Sequence, residues 1–374
     1  MDFERVAREL EGGARDGAFP GAVVLIARGG RVLYHAAFGA RSVDPGGGTM
    51  QPDTIFDLSS LTKPLATTTA FMLLVREKKV APDDRVSRFF HNFGVHGKTH
   101  VTFRHLLAHC SGLPGWRPYF RDIERIEREG RLNFIASRGA KEWVYDQVHR
   151  EKPESVPGTR AVYSDLGFML LGQAVETISG QGLDRFCRSR IFAPLGLDTL
   201  SFVDLSQVRV GRVSLLSERI AATQECPWRR RILCGEVGDE NAYAMGGVAG
   251  HAGLFGSARD VDALGGVLMK GLRGDDGLLS GAMTREMWAR DASIPDSTRT
   301  LGWDTPSPAG SSAGSRMSAW TVGHLGFTGT SIWMDLERQI RIVFLTNRVH
   351  PDRDVQRIKE FRPLIHDLVM EALA

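Results

Sequence analysis

Apolar residues change their spacing several times along the chain, and each change predicts a new element. Phe3, Val6 and Leu10 fall at helical spacing among alternating acidic and basic residues, which predicts an amphipathic surface helix. Residues 21–28 and 32–38 are strand-like runs joined by Gly29-Gly30, a hairpin signal. Pro45, Gly46, Gly47, Gly48 and Pro52 mark 41–52 as a loop. From Ser60 to about Lys79 the pattern turns apolar on every side, with Phe71, Met72, Leu73 and Leu74 in a row. A helix buried all round is expected there. Pro64 stands in its first turn, where proline is tolerated. Residues 103–109 form a short helix stopped by Ser111-Gly112-Leu113-Pro114-Gly115, and 120–150 a charged helical region. A second strongly apolar helix covers 166–178 and ends near Gly180. A glycine-rich loop at 246–256 leads into an apolar helix at 260–271. Strands return at 318–323, 330–335 and 339–346, and a helix closes the chain at 352–373.

Strands thus lie at both ends and helices in the middle. The predicted architecture is α/β plus α: an antiparallel sheet flanked by helices, built from residues 1–75 and 296–374, with a mostly helical domain inserted at 76–295. A catalytic cleft is expected where the two lobes meet.

Composition removes other classes. The chain has 374 residues, 42% hydrophobic, 24% charged and 8% aromatic, which excludes disorder, collagen and coiled coil. A net charge of +3 makes no statement about nucleic acid, and Arg229-Arg230-Arg231 reads as a solvated loop. Four cysteines without a C-x-x-C read as buried free thiols. No apolar run reaches the ~18 residues of a membrane span. The N-terminus lacks the basic start and apolar run of a secretory signal, so a soluble, cytoplasmic protein is expected unless a signal has been removed.

Three short segments carry candidate chemistry. In Ser60-Leu61-Thr62-Lys63, a serine and a lysine three apart on a helix face the same way. Ser60 lies at the helix start, where free N–H groups favour developing negative charge. A lysine desolvated against so apolar a helix can activate a serine nucleophile. Four such letters alone also fit an N-cap and a solvated lysine. Tyr163-Ser164-Asp165 precedes the second buried helix, and a tyrosine near a cation can act as general base or simply pack there. Gly323-His324-Leu325-Gly326-Phe327-Thr328-Gly329 lies on a predicted strand whose N–H groups suit an oxyanion hole.

In that order and at that spacing, the three segments resemble the S-x-x-K, Y-x-N and K-T-G or H-x-G motifs of the serine β-lactamase and penicillin-binding-protein-like hydrolases. The class C-like branch, which holds esterases, D-amino-acid peptidases and β-lactamases, fits best. The likeness runs from about residue 20 to about 348. It implies that Ser60 is the acylated nucleophile and that Lys63 and Tyr163 share the proton work. It implies that the N–H groups of Ser60 and Phe327 hold the oxyanion, and that Asp165, His324, Gly326 and Phe327 bind substrate. No cofactor or metal is implied. Two positions depart from the pattern. Asp165 stands where lactamases usually carry Asn, and an ionised Asp165 favours a charged Lys63, moving base duty toward Tyr163. His324 and Leu325 replace the Lys-Thr pair that holds a substrate carboxylate, which disfavours β-lactams relative to neutral esters or amides.

The expected activity is therefore acyl-enzyme hydrolysis of a small ester or amide. A D-alanyl-D-alanine carboxypeptidase or β-lactamase, an acyltransferase, and an inactive relative that binds peptidoglycan fragments or a protein are the alternatives. Gly310-Ser311-Ser312-Ala313-Gly314 matches G-x-S-x-G, but loop composition on both sides makes it chance. Cys110 beside His109 sits in an apolar setting that keeps a thiol inert. His251, with Asp239, Glu240 and Asn241 nearby in sequence, lacks metal-ligand spacing and reads as a loop-fixing histidine. Trp116, Trp320 and Trp333 line an acyl pocket or belong to the core.

Overall fold

The computed structural model describes residues 2–211, 217–274 and 277–374. Its main sheet has five strands: β1 (Gly21–Arg28), β2 (Arg31–Gly39), β3 (Thr321–Leu325), β4 (Ser331–Asp335) and β5 (Ile340–Thr346). All neighbours are antiparallel, in the order β2–β1–β5–β4–β3. The first strand therefore pairs with the last, with Val24 opposite Phe344. β1 is apolar at nearly every position because both of its faces are covered. Ala22, Val24 and Ile26 pack with Phe344 under helices Glu4–Arg15 and Ile358–Leu373. Val23, Leu25 and Ala27 face the core that continues into the helical region. Helix Ala258–Gly271 lies within 76–295, yet it packs on the sheet, and Asp262 joins it to β5 through two bonds from Arg341 at 2.7 and 3.0 Å.

The expected helix from Ser60 is present, but not as one regular spiral. Ser59–Leu61 is a 3₁₀ turn, Lys63–Thr68 a π turn, and α-helix begins at Thr69 and ends at Arg76. Pro64 has no N–H to give, so the ladder loosens, and the Thr69 hydroxyl takes up the Pro64 carbonyl at 2.9 Å. The apolar helix Asp165–Ser179 packs against it and closes on Gly180 in the left-handed region. The closing helix starts at Ile358 rather than 352.

The third segment also departs from its predicted strand. β3 ends at Leu325, and residues 326–330 form the turn into β4. The Gly326 N–H bonds the Thr330 carbonyl at 2.7 Å. A Cβ at Gly326 would lie 2.1 Å from Thr330 Oγ1 and 2.6 Å from the Leu58 carbonyl, so only glycine lets this turn touch the nucleophile turn. The hydroxyls of Thr328 and Thr330 complete the seam by donating to the carbonyls of Asp57 and Leu58 at 2.8 and 3.1 Å.

Candidate active site

Ser60, Tyr163, Asp165 and Phe327 share the wall of one cleft of about 270 Å³, together with Trp116, Asp239 and His251. Lys63 lies fully buried beneath it. Its Nζ donates to Ser60 Oγ at 3.0 Å and to the His251 carbonyl at 3.0 Å, and pairs with Asp165 Oδ1 at 2.7 Å. Three partners match the three protons of an ammonium. Burial pulls the Lys63 pKa down, but the Asp165 carboxylate and the Tyr163 phenol outweigh it, so the net direction is up from 10.5. At neutral pH the amine is charged and has no lone pair for a proton.

Tyr163 sits in the extended stretch before helix Asp165–Ser179, whose N-cap Ser164 binds the Gly167 N–H. Lys63 Nζ is 4.8 Å from the Tyr163 ring centroid, and the His109 ring lies 4.6 Å away at a 32° tilt. His109 takes a left-handed φ of 57°. Its Nδ1 accepts the Ser164 N–H at 2.9 Å, which places its proton on Nε2. Burial, then the charges of Arg299 and Lys63, hold His109 well below 6.5 and therefore neutral.

His324 and Gly326 do not wall the cleft. His324 is buried, its ring 6.0 Å from that of Tyr163. Its Nδ1 meets the Leu325 carbonyl at 2.8 Å and must carry the proton there, leaving Nε2 bare and without a partner. Burial, then Arg299 and Lys63, push its pKa well below 6.5, so it brings no cation to the site. The cation at this point is Arg299, which sequence reasoning missed. Its guanidinium carbon is 5.1 Å from the Tyr163 ring centroid, and Nη1 pairs with Asp304 at 3.1 Å.

A second acidic layer braces the nucleophile turn. Ser59 has a φ of 49°, and buried Asp57 holds it by accepting the Ser59 N–H at 2.8 Å and the Gly238 N–H at 2.6 Å. Burial still pushes the Asp57 carboxyl up to about 6. Asp239 meets His251 Nε2 at 3.0 Å and caps helix Glu240–Ala244 through the Ala242 N–H at 2.7 Å. Burial would raise Asp239, but His251 and this N–H hold it down at about 2. His251 thus fixes its loop through its side chain and Lys63 through its carbonyl. Among the described residues no group of His, Cys, Asp and Glu is arranged to hold a metal.

Of the three arginines at 229–231, Arg230 and Arg231 are exposed as expected, and Arg229 is not. Arg229 is buried and donates to the carbonyls of Val237 and Gly238, both at 2.7 Å, while Arg231 holds Glu236 with two bonds. Burying the Arg229 guanidinium against carbonyls shapes the loop that carries Asp239. Cys110, Cys187 and Cys226 are buried thiols, and burial pushes Cys110 up to about 11. Ser312 lies in a turn flanked on both sides by loop, not between a strand and a helix. Trp116 walls the cleft, Trp333 is core, and Trp320 is exposed at the outer start of β3.

Comparison with known proteins gives the family and the fold. The Beta-lactamase family model matches residues 4–366. A protein of Escherichia coli (strain K12) named "Putative D-alanyl-D-alanine carboxypeptidase" is 32% identical over 369 residues, covering 91% of this chain and 82% of the relative. An N-acetylmuramyl-L-alanine amidase of Bacillus subtilis (strain 168) is 31% identical over 360 residues, covering 89% and 78%. Among solved structures, EstCE1, a hydrolase with promiscuous acyltransferase activity, superposes with a TM-score of 0.73 at 25% identity, covering 97% of this chain and 98% of that one. The chain belongs to the beta-lactamase family. Within that family it is a serine hydrolase with the β-lactamase/transpeptidase-like fold. No helix among its described residues is long and apolar enough to cross a membrane.

Proposed function

We propose that the protein cleaves small esters or amides through an acyl-enzyme on Ser60. The observation that carries this reading is the buried Lys63 ammonium, which bridges Ser60 Oγ at 3.0 Å and Asp165 at 2.7 Å at the floor of the cleft. Since the three N–H bonds of Lys63 are committed, Tyr163 takes the proton as Ser60 Oγ bonds to the substrate carbonyl. The Lys63 ammonium lies 4.8 Å from the Tyr163 ring centroid, beside the phenol that this role requires. The carbonyl oxygen becomes an oxyanion held by the N–H groups of Ser60 and Phe327. Its collapse expels the alcohol or amine, which receives the proton from Tyr163. Water then attacks the acyl-enzyme, and the acid leaves with Ser60 restored.

A second reading keeps this chemistry and changes the substrate to a cell-wall peptide amide. It is favoured by the relatives named as a carboxypeptidase and as an N-acetylmuramyl-L-alanine amidase. Transfer of the acyl group to an alcohol is the third, on the activity named for EstCE1. Intact-mass analysis after a fluorophosphonate probe tests the common step. One adduct is expected on the parent chain and none on Ser60→Ala. An adduct that persists in Ser60→Ala, or is lost in Ser312→Ala, rules the reading out.

A further inference from the structure

Arg348 follows β5 and is only 6% exposed. Its Nε and Nη2 donate to the Phe327 carbonyl at 3.0 and 2.6 Å, and Nη1 donates to the carbonyls of Arg353 and Val355 at 3.1 and 2.8 Å. The guanidinium carbon lies 4.8 Å from the Phe327 ring centroid. Burial alone lowers its pKa, and no carboxylate among the described residues compensates it. Behind it stands Arg362, 5% exposed, pushed down to about 10 by burial and then by the Arg348 charge. Two neighbouring guanidinium groups are thus buried with no acid against them among the described residues. Such charges are expensive to desolvate, and for Arg348 the offset comes from the carbonyls of Phe327, Arg353 and Val355.

The Phe327 N–H, on the other side of the same residue, donates to Ser59 Oγ at 3.2 Å beside Ser60. We propose that Arg348 is a positioning residue for the oxyanion site. It locks Phe327 through its carbonyl and its ring so that the N–H faces the nucleophile turn, and its unneutralised charge favours the negative oxygen formed there. This deepens the serine-hydrolase reading and rests on its assignment of the Phe327 N–H to that oxygen. Since the charge exists only as the carbonyl is attacked, Arg348 acts on the transition state and leaves substrate binding almost untouched.

The test measures p-nitrophenyl acetate turnover, inhibition by phenylboronic acid (whose serine adduct carries the same negative charge) and the denaturation midpoint. Removing a direct oxyanion donor costs about 10²–10³ in kcat. Arg348→Gln, one residue removed, is expected to lose about tenfold or more in kcat. Boronate affinity should fall in parallel, KM should move less than about threefold, and Arg348→Lys should regain most of the loss. Equal losses in the two variants, or a lowered midpoint with kcat and boronate affinity unchanged, make Arg348 a packing residue and overturn the proposal. Should the glutamine variant not fold, Arg362→Met removes the second charge without touching Phe327. A loss of about twofold to fivefold in boronate affinity is expected, and an unchanged affinity overturns the electrostatic role. Fluorophosphonate labelling that survives Ser60→Ala defeats the underlying reading. Ser60-dependent labelling with unmoved Arg348→Gln kinetics defeats only the role given to Arg348.

Discussion

Replacing Asp165 by asparagine preserves the side-chain shape and removes the carboxylate paired with a fully buried ammonium. Burial then pulls the Lys63 pKa down with only Tyr163 opposing it among its named partners. The amine escapes by losing its proton. Deprotonating a lysine of ordinary pKa 10.5 at pH 7 costs about 5 kcal/mol, at ~1.36 kcal/mol per pH unit. That figure caps the loss of folding stability and meets the upper end of the roughly 3–5 kcal/mol seen when one partner of a buried pair is removed. The sign with pH follows from proton counts. In the variant the folded state holds one proton fewer than the unfolded chain, where the lysine stays charged to about pH 10, so its stability rises with pH. In the parent Lys63 is charged in both states across this range and adds no slope. The deficit of Asp165→Asn relative to the parent should therefore shrink by about 1.4 kcal/mol per unit between pH 7 and 9. Guanidinium denaturation of both proteins at pH 7, 8 and 9 measures it. A deficit of the same size at all three values refutes the reasoning.

Three further outcomes are expected. Tyr163→Phe should keep its packing on His109 and lose ~10²–10⁴ in kcat/KM for p-nitrophenyl acetate, as for a general base; a drop below about threefold moves the proton to Lys63. Turnover should persist after exhaustive EDTA treatment, whereas loss on chelation with recovery on added zinc would point to the His251 region. Short neutral esters should outcompete nitrocefin by kcat/KM, because the proton on His324 Nδ1 is committed to the Leu325 carbonyl and the Arg299 charge to Asp304. Faster turnover of nitrocefin than of any neutral ester would defeat that argument.

Much of the fold was legible because each signal was local. The Gly29-Gly30 hairpin, the all-round apolar helices and the terminal strands each depend on a few consecutive residues. Ser60 and Lys63 were legible for the same reason, being one helical turn apart. What escaped was set by burial and by partners distant in sequence. Nothing around His324 signals that its ring turns inward and bonds its own neighbour's carbonyl. Arg299, Arg348 and Asp57 stand in unremarkable stretches and matter only through contacts with Tyr163, Phe327 and Gly238. The π turn at Lys63–Thr68 had a signal in Pro64, which was read as a tolerated first-turn proline and not as a gap in the ladder. Arg229 was misread because three adjacent arginines look solvated, whereas carbonyls of residues 237 and 238 close over one of them.

The pairing of β1 with β5 has a consequence for how the protein comes to be made. Residues 21–28 leave the ribosome early, and their partners at 340–346 follow more than three hundred residues later. The hairpin with β2 forms at once, but the other edge of a strand apolar on both faces stays open while the helical region is synthesised. Contacts of such long sequence separation form slowly, and exposed apolar edges recruit other chains in the interval. Completion of the sheet therefore has to wait for residues 340–346. A chain halted before residue 340 lacks the partner of that edge and presents an unpaired apolar strand to other chains.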